Sequence, residues 1–318
     1  MIRRIVALVL MMALLCAGAL AEEDGSGEGA FPALNAEGFL DEGEFVYENA
    51  DEGVWRYASP TLKIEIIRYK ETKPKNQIWY EAEIWCREGE RFKLIPYNAE
   101  KRMKSLNWPY KVARSTRTVF GINTDYAQMR MLYKQKTGVI IRDGEVYGEK
   151  TRKRGANGFP NLDVLAMYPD GNMEVYYSDE QTAEEYIEMG VESTLAFGPI
   201  LIRDGELNEE GLKKYGTSSA QRTAIGLVEK GHYFAMMLEG RRKDAKGAGV
   251  SFLAEKLYNR GCTVALNLDG GQTSSMVFMG HQICSVGKSA KARVSSRKTP
   301  ELVGIGTSEL VAEMDDPW

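Results

Sequence analysis

Residues 264–279 read VALNLDGGQTSSMVFM, and they hold the densest chemical signal in the chain. An apolar run from Val264 to Leu268 stops at one acid, Asp269. Gly270 and Gly271 follow, then Gln272, Thr273, Ser274 and Ser275, and then apolar residues return. A two-residue hairpin turn needs one acid and one glycine, as in the RDGE of residues 142–145. The second glycine and the run of small hydroxyl side chains exceed that need. Glycines permit positive φ and let a ligand come close to the backbone. Exposed N–H groups and hydroxyls beside them suit an oxyanion, a phosphate or the hydroxyls of a sugar.

Other chemistries are poorly served. The only histidines, His232 and His281, are too few and too far apart for a His-rich metal site, and a Ser-His-Asp triad would need one of them. There is no GxxxxGK[ST] phosphate loop and no GxGxxG following a first strand, which argues against nucleotide chemistry. What remains is a scatter of acids, amides and arginines. Asn123 and Asp125 lie in FGINTDYAQ, Arg222 in QRTAIGL, and Glu239 and Arg241 in MMLEGRR. Each has a local alternative, because Asn and Asp cap turns and Arg and Glu pair on surfaces. Acids and amides near Asp125 and Asp269 could also supply oxygen ligands to a structural divalent cation.

The elements that must position these residues read as strands and turns. TLKIEIIRYK (61–70) and IWYEAEIWC (78–86) alternate apolar with polar residues and form an antiparallel pair. TVFGIN (118–123) is a strand. GVIIRDGEVYG (138–148) and AFGPILIRDGEL (196–207) each read strand, Asp-Gly turn, strand, and LDVLAMYPDGNMEVYY (162–177) is a third hairpin. Helices are few. One spans 178–190 with a Ser or Asp cap and stops at Gly190, and one spans 249–261, feeding the strand that ends at Asp269. That sequence of elements makes a βαβ-like or α+β neighbourhood. The fold class is α+β, a single domain with mixed or antiparallel sheets.

The N-terminus follows different rules. A basic MIRR, an apolar IVALVLMMALLCAGAL and a small-x-small Ala19-Leu20-Ala21 make residues 1–21 a secretory signal peptide. Residues 22–44, rich in Gly, Glu and Ala, read as a flexible leader, and the domain covers 45–318. The expected location is extracytoplasmic, with no later segment apolar enough to span a bilayer. A net charge of -4 gives no reason to expect nucleic acid. After the signal, Cys86, Cys262 and Cys284 remain, an odd number that reads as buried thiols rather than a disulfide scaffold.

Taken as an ordered set, the segments resemble the phosphodiester glycosidase family. ALNLDGGQTSSMV is similar to that family's Leu-Asp-Gly-Gly-Gly-Ser-Ser-Thr-Met-Val signature, and GINTDY to its Asn-x-x-Tyr/Phe segment. AFGPILIRDGEL resembles its Phe-Gly-Pro-x-Leu hairpin, QRTAIGL its Arg-Thr-Ala-x-Gly strand, and LEGRR with the following helix and strand its Gly-Arg run. The likeness spans roughly 55–312. Gln272 stands where Gly is usual, Thr273 where Ser is usual and Glu239 where Asp is common.

The resemblance implies a hydrolase that frees a sugar linked through its anomeric carbon to a phosphodiester, with a phosphorylated glycan or sugar-1-phosphodiester as partner. It implies Asp269 on the sugar or as base, Arg222 and Arg241 as substrate-binding cations, and Asn123 orienting the substrate. Gly270, Gly271, Thr273 and Ser274 would line the pocket, and Asp125 and Glu239 are second-carboxylate candidates. The alternative is a module that binds such a glycan without turning it over.

Overall fold

The computed structural model describes residues 29–126, 130, 137–153, 160–215, 218–286 and 296–316, and alternating apolar and polar residues pair there into four sheets. The largest has nine strands. Its first four are consecutive in the chain: β1 (Phe45–Asn49), β2 (Val54–Ala58), β3 (Leu62–Glu71) and β4 (Gln77–Cys86). It continues through β15 (His232–Leu238), β14 (Arg222–Glu229), β16 (Val264–Asn267), β12 (Ile200–Arg203) and β13 (Glu206–Leu207). A five-stranded sheet runs β18 (His281–Gln282), β17 (Met276–Phe278), β6 (Thr118–Asn123), β19 (Glu301–Thr307) and β5 (Lys93–Pro96). Three strands, β10 (Met173–Tyr176), β9 (Asp163–Met167) and β11 (Ser193–Phe197), form a third sheet. The hairpin of β7 (Gly138–Arg142) and β8 (Glu145–Lys150) is the fourth.

Among the described residues every strand pairing is antiparallel. The expected α+β class holds, with antiparallel sheets and few helices. The expected pairing of the strands near 61–70 and 78–86 is also present, over Leu62–Glu71 and Gln77–Cys86. The Asp-Gly turns fall where the sequence places them, at Asp143-Gly144 and Asp204-Gly205, with positive φ at both residues of each.

Period-two alternation gives the large sheet two different faces. Along one run Tyr80, Ala82 and Ile84, with Tyr233, Ala235, Met237, Leu266 and Leu268, pack against Phe120 and Ile122 of β6, Met276 and Phe278 of β17, and Val303 and Ile305 of β19. The opposite face, carrying Trp79, Phe234, Met236 and Leu238, is covered by Val250, Leu253, Ala254 and Leu257 of the helix Val250–Asn259. That helix joins β15 to β16. Both strands run antiparallel to β14 between them, so they are parallel to each other. The βαβ-like reading is therefore met in split form, with an antiparallel strand inserted.

Three sequence expectations are corrected. The helix expected from Ser178 starts at Ala183 instead. Ser178 accepts a hydrogen bond from the Arg152 N–H (2.6 Å), while Thr182 and Glu185 make a reciprocal capping box. The hairpin expected over 196–207 is present only over 200–207, where β12 pairs with β13 across Asp204-Gly205. Ala196 and Phe197 end β11 of the three-stranded sheet, and the chain enters the nine-stranded sheet only at Ile200. Two seven-residue helices, Pro109–Ser115 and Glu209–Tyr215, lay below the length at which a helical period shows in sequence.

Residues 1–28, which carry the expected signal peptide, lie outside the described residues. The described part of the leader rests on the sheets. Phe39 is buried, Leu40 N–H donates to Ser59 O (3.2 Å), and Phe31 packs against Phe45. Among the described residues no helix is long and apolar enough to cross a membrane. Cys86, Cys262 and Cys284 are buried thiols.

Candidate active site

The Asp269 segment is where the chain leaves one sheet for the other. β16 belongs to the nine-stranded sheet and β17 to the five-stranded one, so the intervening residues bridge the two instead of turning a hairpin. Gly271–Thr273 form a single 3-10 turn. The bridge is pinned from both sides. On the β14 side Gln221 O accepts the Gly271 N–H (3.0 Å) and Thr223 O accepts the Leu268 N–H (2.9 Å). On the β6 side the Asn123 amide donates to Asp269 O (2.9 Å) and Thr124 O (2.9 Å), and its oxygen accepts the Ser275 N–H (2.9 Å).

Both glycines are required by what surrounds them. A Cβ on Gly270 would lie 2.8 Å from Gln221 O. Gly271 has φ 63°, and a Cβ there would sit 3.3 Å from an Arg241 guanidinium nitrogen. Three of the expected N–H groups are spent within the segment. Gly270 N–H donates to Asp269 Oδ1 (2.8 Å), Thr273 N–H to Gly270 O (3.2 Å) and Ser274 N–H to Gly271 O (3.3 Å). The N–H groups of Asp269 and Gln272 are not spent in this way, and side chains add to them.

Those side chains converge on Asp269. Its carboxyl is enclosed by protein with partial access to solvent, and burial pushes its pKa up to about 6. The Thr273 hydroxyl, the Gly270 N–H and Arg297 oppose that rise, and Asp125 adds to it. The Thr273 hydroxyl lies beside the carboxyl but makes no hydrogen bond of regular geometry. In the bridge and the strand ends beside it, the hydroxyls of Thr124, Thr223, Thr273, Ser274 and Ser275, the Asn267 Oδ1 and the Arg222 Nε are buried without a regular hydrogen bond.

Arg222 opens β14 and is buried. Its Nη2 donates to the Ser218 carbonyl and hydroxyl (2.9 Å each). Burial lowers its pKa, and the neighbouring charge of Arg241 lowers it further. Among the described residues neither arginine has an acidic partner within ion-pair distance, and the chain segments left undescribed between 126 and 296 contain no Asp or Glu.

The two second-carboxylate candidates are engaged elsewhere. Asp125 is fully buried. Its Oδ1 pairs with Arg130 (2.6 Å), and its Oδ2 accepts the Ala196 N–H (2.7 Å). Glu239 is buried as well, accepting from Tyr80 (3.1 Å), the Ser285 N–H (2.7 Å) and Arg242 (2.6 Å). Asn123 has no exposed surface and spends its amide on the bridge, so it orients the loop and not a substrate. Gln272 is exposed, and its carbonyl accepts the Arg297 N–H (3.0 Å). Asp125 has no lone carboxylate to offer a cation, and no three His, Cys, Asp or Glu side chains gather as a metal site among the described residues.

Arg297 and Tyr126 were not anticipated. Tyr126 packs on Phe197 (centroids 5.9 Å), and the charge of Asp269 helps to raise its pKa, second to burial. Its one sequence signal is its place in the Asn-x-x-Tyr segment. Arg297 follows a basic stretch with no motif of its own.

The sequence profile of the phosphodiester glycosidases matches residues 116–305, well over half the chain and all of the bridge and its supports. The chain belongs to the phosphodiester glycosidase family. The family comprises hydrolases that act on phosphodiester-linked sugars. Among solved structures the chain is similar to the catalytic domain of zebrafish N-acetylglucosamine-1-phosphodiester alpha-N-acetylglucosaminidase, which is auto-inhibited by its pro-peptide. The TM-score is 0.57 at 16% identity, covering 83% of this chain and 86% of that one, a likeness of fold. A hypothetical protein from Synechocystis also matches, with TM-score 0.48, 13% identity, and 77% and 62% of the two chains covered. No curated protein is a significant match.

Proposed function

We propose that the protein is an exported glycosidase that hydrolyses the bond between a sugar's anomeric carbon and a phosphodiester, in glycans of the cell envelope or exopolysaccharide. One observation carries the reading. Among the described residues one partly accessible carboxyl, Asp269, and two guanidiniums with no acidic partner at ion-pair distance, Arg222 and Arg241, flank the same two glycines. The basic start, apolar stretch and Ala19-Leu20-Ala21 of residues 1–21 support export.

The chemistry needs one carboxylate. Glycosidic cleavage passes through an oxocarbenium-like state and ordinarily uses an acid as well as a base. A phosphomonoester leaving group, with a second pKa of about 6, departs without a proton from the protein. Asp269 takes a proton from water as its oxygen attacks the anomeric carbon. The electron pair of the broken C1–O bond stays on the phosphate oxygen, where the guanidinium of Arg222 receives the new charge. The carboxyl then returns its proton to solvent. A covalent route would need a second base to activate water, and Asp125 and Glu239 are occupied.

Purified protein incubated with a panel of sugar-1-phosphodiesters is expected to release free sugar, with saturable binding measured in parallel. Saturable binding across a broad panel with no release would replace the enzyme by a glycan-binding module.

A further inference from the structure

The GRR of residues 240–242 places two adjacent arginines in opposite roles. Arg242 takes the acids: its guanidinium meets Glu239 at 2.6 Å and Asp244 at 2.9 Å. Arg241 has φ 61°, a left-handed conformation that a residue with a long side chain seldom adopts. The backbone is held there by Arg241 N–H to Lys246 O (3.3 Å) and Arg242 N–H to Ala245 O (2.9 Å). This twist carries the Arg241 guanidinium beside Gly271, away from Glu239 and Asp244. Next to it Arg222 is buried, has an unpartnered Nε, and would touch any Cβ on Gly270 through its Cδ at 3.8 Å. Two like charges held together without an acid among the described residues repel each other; burial of Arg222 sharpens that repulsion, and the exposure of Arg241 tempers it. An anion between them would relieve it.

We propose that Arg222 and Arg241 form a site for a phosphate dianion, so that it holds a phosphomonoester more tightly than the phosphodiester from which that monoester is cut. The proposal rests on the glycosidase reading for the source of the monoester, but not for the site itself. A diester carries one negative charge and a monoester near neutral pH carries up to two. Two forked guanidiniums offer enough donors for the three terminal oxygens of a monoester, whereas a diester presents only two such oxygens. Cleavage therefore converts a weaker ligand into a stronger one in place. The freed phosphomonoester competes with substrate, and its departure limits turnover.

Isothermal calorimetry on the wild-type protein at pH 7.5 and fixed ionic strength, with methyl phosphate and dimethyl phosphate as probes, tests this without any sugar or turnover. Methyl phosphate is expected to bind about tenfold or more tighter. In Arg241→Ala the preference should fall below about threefold, with the thermal midpoint near wild type because the side chain is exposed. Arg222→Met should weaken both probes. Equal affinities in the wild type, or a preference undiminished in both variants, overturns the proposal. In the assay of sugar release, methyl phosphate should inhibit competitively, and inhibition that Arg241→Ala leaves unchanged counts against it. If no sugar is ever released but the calorimetric preference stands, the glycosidase reading fails and the dianion site survives. If sugar is released but the probes bind alike, the reverse holds.

Discussion

At Asp269 one environment has two consequences. Burial raises the carboxyl from its ordinary value of 3.8 to about 6, so ionising it in the folded protein is costly. Because the folded pKa lies above the unfolded one, the stability contribution is fully present below about pH 4 and is lost as pH rises through about 6. The loss is at most on the order of 3 kcal/mol, and solvent access reduces it. Asp269→Asn should therefore raise the thermal midpoint at pH 7.5 and leave it nearly unchanged at pH 4, which differential scanning calorimetry checks. The same substitution should lower kcat by about a thousandfold or more, since it removes the base. In the wild type kcat should rise with pH through about 6, following the ionised fraction of Asp269. A flat profile between pH 5 and 7 would remove Asp269 from the base role. With water as the nucleophile, the first sugar seen by NMR should have inverted anomeric configuration, and a retained one would require a second nucleophilic step.

At the scale of elements, the bridge between β16 and β17 works because β6 holds it at both ends through one amide. Asn123→Ala leaves the Asp269 carbonyl and the Ser275 N–H without partners inside the core, at a cost of about 2–4 kcal/mol. Urea denaturation should show that loss, and kcat should fall even at temperatures where the variant is fully folded. Asp125→Asn breaks a buried ion pair with Arg130 and should cost about 3–5 kcal/mol. Its kcat at low temperature should stay within about tenfold of wild type, because Asp125 positions strands and does not touch substrate. A loss as deep as that of Asp269→Asn would restore Asp125 as a second carboxylate.

The same elements show what was legible in the sequence. Hairpins turned by Asp-Gly were readable because φ above zero admits few residues, and the acid followed by two glycines was readable because it exceeded any turn. The sheet change at Gly198-Pro199 was not, since a strand looks alike whichever sheet it joins. Asn123 and Glu239 were marked as unusual, but burial decided their roles, and burial follows from strand partners distant in the chain. Arg241 and Arg242 are indistinguishable as letters, and the left-handed turn between them separates their functions.

For the whole molecule, three sheets share one core and the candidate site lies where the chain steps from the nine-stranded sheet to the five-stranded one. Residues 29–44 of the leader bond elsewhere. Glu44 bonds Tyr57 (3.1 Å) and Ser308 (2.5 Å), and Arg56 reaches Gly29 O (2.6 Å). Removing residues 22–44 should lower the thermal midpoint while leaving kcat/KM for a sugar-1-phosphodiester within about threefold, because its described part, 29–44, bonds strand β2 and Ser308 and makes no hydrogen bond to the bridge among the described residues. The central claim is that the bond broken joins the sugar's anomeric carbon to oxygen, and not phosphorus to oxygen. Hydrolysis of a sugar-1-phosphodiester in 18O-labelled water, followed by mass spectrometry of both products, tests it most directly. The label is expected in the anomeric hydroxyl of the sugar, with the phosphomonoester unlabelled. Label in the phosphate would make the protein a phosphodiesterase and contradict the assignment.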